Sequence, residues 1–421
     1  MNPYKIGIIG LGYVGLPLAQ LFIKQNQIVY GVDIDEVKIN QLKQRKSYLS
    51  DLSDKDIDEM FTKGTFFVNH SFSVLKKVDA IIICVPTPLT SDYSPNLEYV
   101  RKALELSLPF MKKGQLIVLE SSTYPGMTEE EICPLIESQG LKIGEDIFVA
   151  FSPERIDPGQ QTYKLEEIPK VIGGVTEKCA KFSQSVYETI FEKVVIVSSP
   201  KVAEMCKLVE NTQRLINISF MNELAILCEK MKINLWEVID AASTKPFGFI
   251  PYYPGPGIGG HCIPVDPLYL DWKAKKYGFE TKFIQLAHKM NEEMPNYIVD
   301  RVKKHLPKQL NEASILVIGI AYKKDVNDAR ESAALSIIER LHEKGAKVHY
   351  HDPYISEIKV SDRQFTSTSL SPNILNQVDC TLILTDHSKL PYENIVRHSP
   401  LVIDTRNATR EVRERENVIL L

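Results

Sequence analysis

Short apolar runs rich in β-branched residues recur between Lys5 and Ser198: KIGIIG, IVYGVD, AIIICV, QLIVLESS, IFVAFSP, KVIGG and VVIVSS. Helical stretches separate them, and that rhythm predicts βαβ units around a mainly parallel sheet. After Pro200 the period changes. Val202, Met205, Leu208, Val209, Leu215 and Ile216 recur at helical spacing, so one long helix is expected from Val202 to Met231, a spine between two lobes. A Pro- and Gly-rich loop from Lys245 to Pro267 follows, then a helical stretch through Arg301, with Pro307 marking the start of the last domain. Strand patterns return in SILVIGIAYK, KVHYHDP, CTLILTD and PLVIDTR.

The expected fold class is α/β, with two Rossmann-like α/β domains joined by a central helical domain that carries the spine helix. The expected boundaries are 1–198, 199–306 and 307–421, with ligands in the cleft between the lobes. The length of 421 residues agrees, being too great for one hydrophobic core.

A formal charge of -4 offers no basic field, which argues against nucleic-acid or membrane partners and for small molecules. The seven cysteines are odd in number, scattered and free of CxxC spacing, so neither a disulfide framework nor a metal site is indicated. Residues 1–10 lack a basic leader, and no apolar run reaches membrane-spanning length; a cytoplasmic protein is expected.

The strand Lys5 to Ile9 runs into Gly10-Leu11-Gly12-Tyr13-Val14-Gly15 and a helical pattern, and a second strand ends at Asp33. This is the dinucleotide fingerprint in its strand–turn–helix setting. Gly10 permits the tight turn, Gly12 lets backbone N–H groups approach a pyrophosphate, and Gly15 allows close helix packing. Tyr13 and Val14 lie inside the same loop, at the positive end of the helix. Asp33 is suited to accept hydrogen bonds from ribose hydroxyls and to repel a 2'-phosphate, which favours NAD over NADP. Lys38 fits either the adenosine side of the cofactor or a solvated helix face. The later strand ends Gly319-Ile320-Ala321-Tyr322-Lys323-Lys324 and lacks the second and third glycines, so that lobe is expected to hold something other than a second dinucleotide.

Gly257-Ile258-Gly259-Gly260-His261-Cys262-Ile263-Pro264-Val265-Asp266-Pro267 sets a cysteine in a glycine-rich loop. Glycine serves where a backbone must take φ > 0 or lie against a ligand, and a merely buried cysteine needs neither, so Cys262 reads as a nucleophile. A free thiol has a pKa of about 8.5 and needs help to ionise. Lys207, Asn211 and Arg214, at i, i+4 and i+7 of the spine helix, share one face that is either solvated or part of a site.

Seven motifs in order now resemble the UDP-sugar 6-dehydrogenase family: GLGYVGLPLA, VPTP at Val85 to Pro88, ESST at Glu120 to Thr123, SPER at Ser152 to Arg155, KLVEN at Lys207 to Asn211, GGHCIPVDP, and KKDVNDARES from Lys323. The resemblance covers nearly the whole chain. The loop from Thr244 through Tyr252, Tyr253 and Gly257 looks most like the bacterial UDP-N-acetylglucosamine 6-dehydrogenases. His261 and IPVD stand where UDP-glucose enzymes typically carry serine and FxKD. The N-acetylmannosamine branch usually has alanine and tryptophan where this chain has Pro264 and Leu268.

The resemblance implies oxidation of the C6 alcohol of a UDP-linked sugar to a carboxylate, with two NAD per sugar. Cys262 would be the nucleophile; Lys207, Asn211 and Asp266 would position and activate water or the sugar oxygen; Glu154 would serve the hydrolytic step. Thr87, Ser121 and Thr123 would line NAD, with Arg330 reaching it across the cleft. Arg155, Ile156, Lys207, Asn211, Arg214, Tyr252, Tyr253, Gly259 and Lys323 would hold the sugar nucleotide. Pairing of two chains through the spine helix is also implied, as a homodimer or a higher homo-oligomer. Two rival readings differ in what they need. A two-domain hydroxyacid dehydrogenase performs one hydride transfer and needs neither Cys262 nor a third domain, while an NAD-responsive binding protein needs no catalytic set.

Overall fold

The computed structural model describes residues 2–49, 51–155 and 163–421. The chain divides into two compact units, residues 1–210 with 268–280, and residues 211–267 with 281–421.

The first unit is built on an eight-stranded sheet ordered β3-β2-β1-β4-β5-β6-β7-β8. Its strands are β1 (Lys5–Ile9), β2 (Ile28–Val32), β3 (Phe66–Asn69), β4 (Ala80–Ile83), β5 (Leu116–Leu119), β6 (Phe148–Phe151), β7 (Lys170–Gly174) and β8 (Val194–Val197). Neighbours run parallel except β6 and β7, which pair antiparallel. β4 and β5 are buried at every position, the expected state of central parallel strands covered on both faces, and the reason their sequences read as unbroken apolar runs. The chain order reverses beside β1, between β2 and β4, and such a switch point opens a crevice at the carboxyl ends of the strands. The core joins Ile6, Ile8, Leu16, Phe22, Ile82 and Val118.

The second unit carries a parallel sheet ordered β10-β9-β13-β14-β15, made of β9 (Ser314–Ile318), β10 (Lys347–His351), β13 (Cys380–Ile383), β14 (Val402–Asp404) and β15 (Val418–Leu420). A small antiparallel hairpin, β11 (Glu357–Val360) with β12 (Arg363–Thr366), lies outside it. The helix Lys282–His305 packs into this unit's core through Met294, Ile298, Val299 and Val302.

The spine helix runs from Pro200 to Met231, with proline at a helix start, where its missing N–H costs nothing. Its residues through Glu210 belong to the first unit and those from Asn211 to the second. No described helix is long and apolar enough to cross a membrane. Among the described residues no cluster of His, Cys, Asp and Glu is arranged to hold a metal, and all seven cysteines are free.

Candidate active site

The end of β1 forms the cradle that the fingerprint calls for. Gly10 has φ +91°, and a Cβ there would lie 2.5 Å from the Cys84 carbonyl oxygen. A Cβ on Gly15, the first residue of the helix Gly15–Lys24, would lie 1.9 Å from the Gly10 oxygen, so that glycine is fixed by packing within the loop. Gly12 differs, because a Cβ there meets nothing within 4 Å. Internal packing does not demand that glycine, and the open space beside it suits a ligand's close approach. Tyr13 and Val14 are half-buried in the same loop.

Asp33 is buried just past the end of β2. Its Oδ2 accepts the Leu11 N–H at 2.9 Å and its Oδ1 accepts the Asp35 N–H at 2.9 Å, so the acid orders the glycine loop. The Lys38 ammonium lies 3.8 Å from Asp33 Oδ2, an ion pair that the sequence did not reveal. Thr87 is buried and its carbonyl accepts the Tyr269 hydroxyl at 2.8 Å, while the Ser121 hydroxyl donates to the Val85 carbonyl at 2.7 Å. Thr123 is buried, and among the described residues its Oγ1 has no hydrogen-bond partner. An orphaned hydroxyl near the end of β5 and the free space at Gly12 both fit a bound dinucleotide.

Further along the first unit, the Lys207 ammonium donates to the Glu154 carbonyl oxygen, and both residues are buried. Arg155 donates to the Pro169 carbonyl at 3.0 Å and pairs with Glu210, so its charge is already engaged within this unit. Ile156 lies outside the described residues.

In the second unit, Gly257 and Gly260 take φ of +132° and +83°, values that L side chains rarely adopt. A Cβ on Gly259 would stand 2.5 Å from the Glu331 carbonyl, so there the close approach is to backbone. Cys262 is exposed at the tip of the turn that these glycines shape, and its carbonyl accepts the N–H of Val265 at 3.2 Å and of Asp266 at 2.9 Å. This turn starts the helix Asp266–Lys275. Asp266 is 1% exposed, not a surface turn acid, and the Asn211 side-chain amide donates to its Oδ2 at 2.6 Å. Burial and the Arg330 charge lower the His261 pKa, which keeps that imidazole neutral near pH 7.

The remaining expected ligands are spread over this unit. Arg214 is half-buried on the spine helix and Tyr252 half-buried in the loop; Tyr253 is exposed and stacks on Trp236 at 5.8 Å. Arg330 forks onto Asp328, with Nη2 2.7 Å from Oδ2. Lys323 is half-buried in the turn after β9.

Two features escaped the sequence reading. Arg406, whose Nε donates to the Leu384 carbonyl at 3.1 Å, lines a small cavity with Tyr322, Ser332 and Thr385. Burial lowers its pKa against the opposing pull of Asp386 and Asp404. Its position just beyond β14, on the ligand side of a parallel sheet, was the available signal. The other is a buried charge cluster around Lys170 in the first unit, for which the sequence carried none.

The glycine cradle, the buried acid after β2 and the sheet's switch point in the first unit define a Rossmann domain of the NAD-binding kind. Three sequence profiles agree along the chain: the UDP-glucose/GDP-mannose dehydrogenase family NAD binding domain over residues 4–191, its central domain over 201–293 and its UDP binding domain over 316–411. The chain belongs to the UDP-glucose/GDP-mannose dehydrogenase family. It is 37% identical over 363 residues to a UDP-N-acetyl-D-glucosamine 6-dehydrogenase of Pseudomonas aeruginosa, covering 85% of this chain and 84% of that one. It is 34% identical over 406 residues to a UDP-N-acetyl-D-mannosamine dehydrogenase of Campylobacter jejuni, covering 92% and 97%. Its fold matches a UDP-D-ManNAc dehydrogenase structure from Pyrococcus horikoshii with a TM-score of 0.88 at 31% identity, over 99% of this chain and 98% of that one. The differing sugars at similar identity leave the family's chemistry common and the sugar open.

Proposed function

We propose that the protein oxidises the C6 hydroxymethyl group of a UDP-N-acetylhexosamine, UDP-N-acetylglucosamine first among them, to the uronic acid. The observation that carries this reading is Cys262, exposed on a glycine-shaped turn whose next helix begins with Asp266, buried and hydrogen-bonded to Asn211. A single alcohol oxidation has no use for such a thiol. The preference for N-acetylglucosamine rests on the Thr244–Gly257 loop and on His261 and Pro264 beside the cysteine.

NAD, held by the loop Gly10–Gly15, Asp33, Lys38, Thr87, Ser121, Thr123 and Arg330, supplies the acceptor for the two hydrides that leave C6. The chain's own residues do the rest. Asp266, steadied by Asn211, takes the hydroxyl proton through water, and Lys207 stabilises the negative charge on oxygen. The Cys262 thiolate adds to the aldehyde carbon and forms a thiohemiacetal, which on losing its second hydride becomes a thioester. Water then attacks the carbonyl carbon, Glu154 takes its proton, the C–S bond breaks and the thiolate leaves. The balance is one alcohol, two NAD and one water giving a carboxylate, two NADH and three protons.

Arg155, Ile156, Arg214, Tyr252, Tyr253, Gly259, Lys323 and, added by its place in the lining of the small cavity, Arg406 are assigned to the sugar nucleotide. Cationic forks and ammoniums suit diphosphate oxygens. Phe220, Leu227 and Met231 leave apolar surface exposed on the spine helix, which supports a homodimer or a higher homo-oligomer. NADH released per sugar consumed, with UDP-N-acetylglucosamine, UDP-N-acetylgalactosamine, UDP-N-acetylmannosamine and UDP-glucose in turn, tests the reading. Two per sugar with N-acetylglucosamine is expected; two with another sugar moves the specificity, and one overturns the thioester route.

A further inference from the structure

Behind Glu154 the first unit encloses ionisable groups that the steps above leave unused. Lys170, the first residue of β7, is 3% exposed, and its Nζ lies 2.8 Å from Glu120 Oε2 and 3.9 Å from Glu154 Oε2. The same ammonium faces the rings of Tyr187 and Phe191 at 5.3 and 5.4 Å. Glu120 also accepts the Tyr187 hydroxyl. Cys84, buried beside the cluster, is the remaining titratable group that acts on Lys170. The Lys207 ammonium holds the backbone of Glu154 by donating to its carbonyl oxygen.

A charge this deep persists only if it is paired. Burial works against the Lys170 ammonium, but the two carboxylates outweigh it and raise its pKa, so it stays cationic. Burial raises the Glu120 pKa well above the usual carboxylate range, with Lys170 pulling the other way. The two acids are placed unequally. Glu120 is fully enclosed and fixed by two donors, whereas the Glu154 side chain keeps 10% of its surface exposed. The inner acid therefore anchors the lysine, and the outer acid feels its charge while keeping a face open to water.

We propose that Lys170 is a positioning residue for thioester hydrolysis: anchored on Glu120 and Tyr187, its ammonium sets a positive charge beside the Glu154 carboxylate and holds it in place as the base. This rests on the reading of Glu154 as the group that accepts the proton of the attacking water.

The test is kcat against pH with UDP-sugar and NAD, joined to single-turnover decay of the acyl-enzyme, for Lys170→Met, Lys170→Arg, Glu120→Gln and Glu154→Gln. Lys170→Met is expected to slow acyl-enzyme decay at least tenfold at pH 7 and to move the acid limb of the profile up by a pH unit or more, with both KM values within twofold. Lys170→Arg restores most of the rate. Glu120→Gln, which removes the competing acid, moves the limb the opposite way. If Lys170→Met does not fold, the double variant Lys170→Met/Glu120→Gln, which leaves no unpaired inner charge, is compared with Glu120→Gln instead of the wild type and read by the same criteria. A lower Tm with an unmoved acid limb overturns the positioning role and leaves Lys170 a structural ion. Should Glu154→Gln hydrolyse the thioester at the wild-type rate, the reading of Glu154 itself fails, and this inference with it; slow Glu154→Gln beside an unshifted Lys170→Met sinks the inference alone.

Discussion

Asn211 and Asp266 stand 55 residues apart in sequence and share a 2.6 Å hydrogen bond in the buried part of the second unit. The Asp266 carboxylate begins a helix, where free N–H groups favour an anion, and the Asn211 amide adds a directed donor. Replacing Asn211 with Ala takes a donor from a buried charge. We expect a loss of about 1.5–3 kcal/mol in stability, as for hydrogen bonds to charged groups. The alcohol-oxidation step should fall by about 10²-fold. Urea unfolding together with the first-turnover rate of NADH formation checks both, and an unchanged rate would remove the pair from the proposed chemistry.

Cys262→Ala addresses the covalent step. The turn is fixed by Gly257 and Gly260, whose positive φ does not depend on the thiol, so the variant should fold with little change in Tm. Acid production should drop by at least about 10³-fold, as when a nucleophile is removed. Stoichiometry is the sharper readout, since any residual turnover should release aldehyde with one NADH per sugar. A variant that still gives two NADH and the free acid contradicts the thioester.

Thr123 gives a prediction in which stability and binding move apart. Its buried Oγ1 lacks a partner in the described chain, so Thr123→Val removes an unsatisfied hydroxyl without changing shape. The free protein should be as stable as the parent or more stable by up to about 1 kcal/mol, because a buried unpaired hydroxyl costs stability. The Kd for NAD should rise by about 5- to 10-fold, the worth of one hydrogen bond. Thermal unfolding without cofactor and calorimetric NAD titration separate the two effects; a fall in Tm with unchanged Kd would mean that the hydroxyl serves the fold.

How much of this was legible in the sequence depends on whether a residue's role is local. The seven strand runs named for the first unit all appear as strands, six of them inside the sheet and the seventh, Val194–Val197, an edge strand whose four consecutive β-branched residues made it legible. Phe66–Asn69 was missed, being an edge strand of four residues with the alternating burial of a one-sided edge. The hairpin and the last strand, Val418–Leu420, escaped for the same reason of shortness. The spine helix starts two residues before the expected Val202 because proline suits a first turn. Gly10 and Gly15 could be read from the fingerprint, since their constraints lie within one turn, but the Leu11 hydrogen bond to Asp33 spans 22 residues. Lys170 had no signal at all. A lysine that opens a strand reads as solvated, and only the fold brings Glu120, 50 residues earlier, against it.

The last prediction concerns stability against pH in the second unit. Glu229, on the spine helix, lies 2.6 Å from the Arg301 guanidinium and 2.9 Å from the Lys304 ammonium, and accepts the Tyr297 hydroxyl. Burial alone would raise its pKa; the hydrogen bonds from Lys304 and Tyr297 and the Arg301 charge outweigh that and bring it down to about 2. The sign follows from linkage. An acid whose folded pKa lies below its unfolded value contributes stability above the unfolded pKa, near 4.5 here, and loses it as pH falls toward 2. Glu229→Gln should therefore cost on the order of 1–2 kcal/mol at pH 7, after allowing for solvent screening, and progressively less below about pH 4.5. Tm measured for both proteins from pH 7 down to the acid limit of folding should show the two curves converging; parallel curves would show that the Glu229 charge contributes nothing beyond its packing.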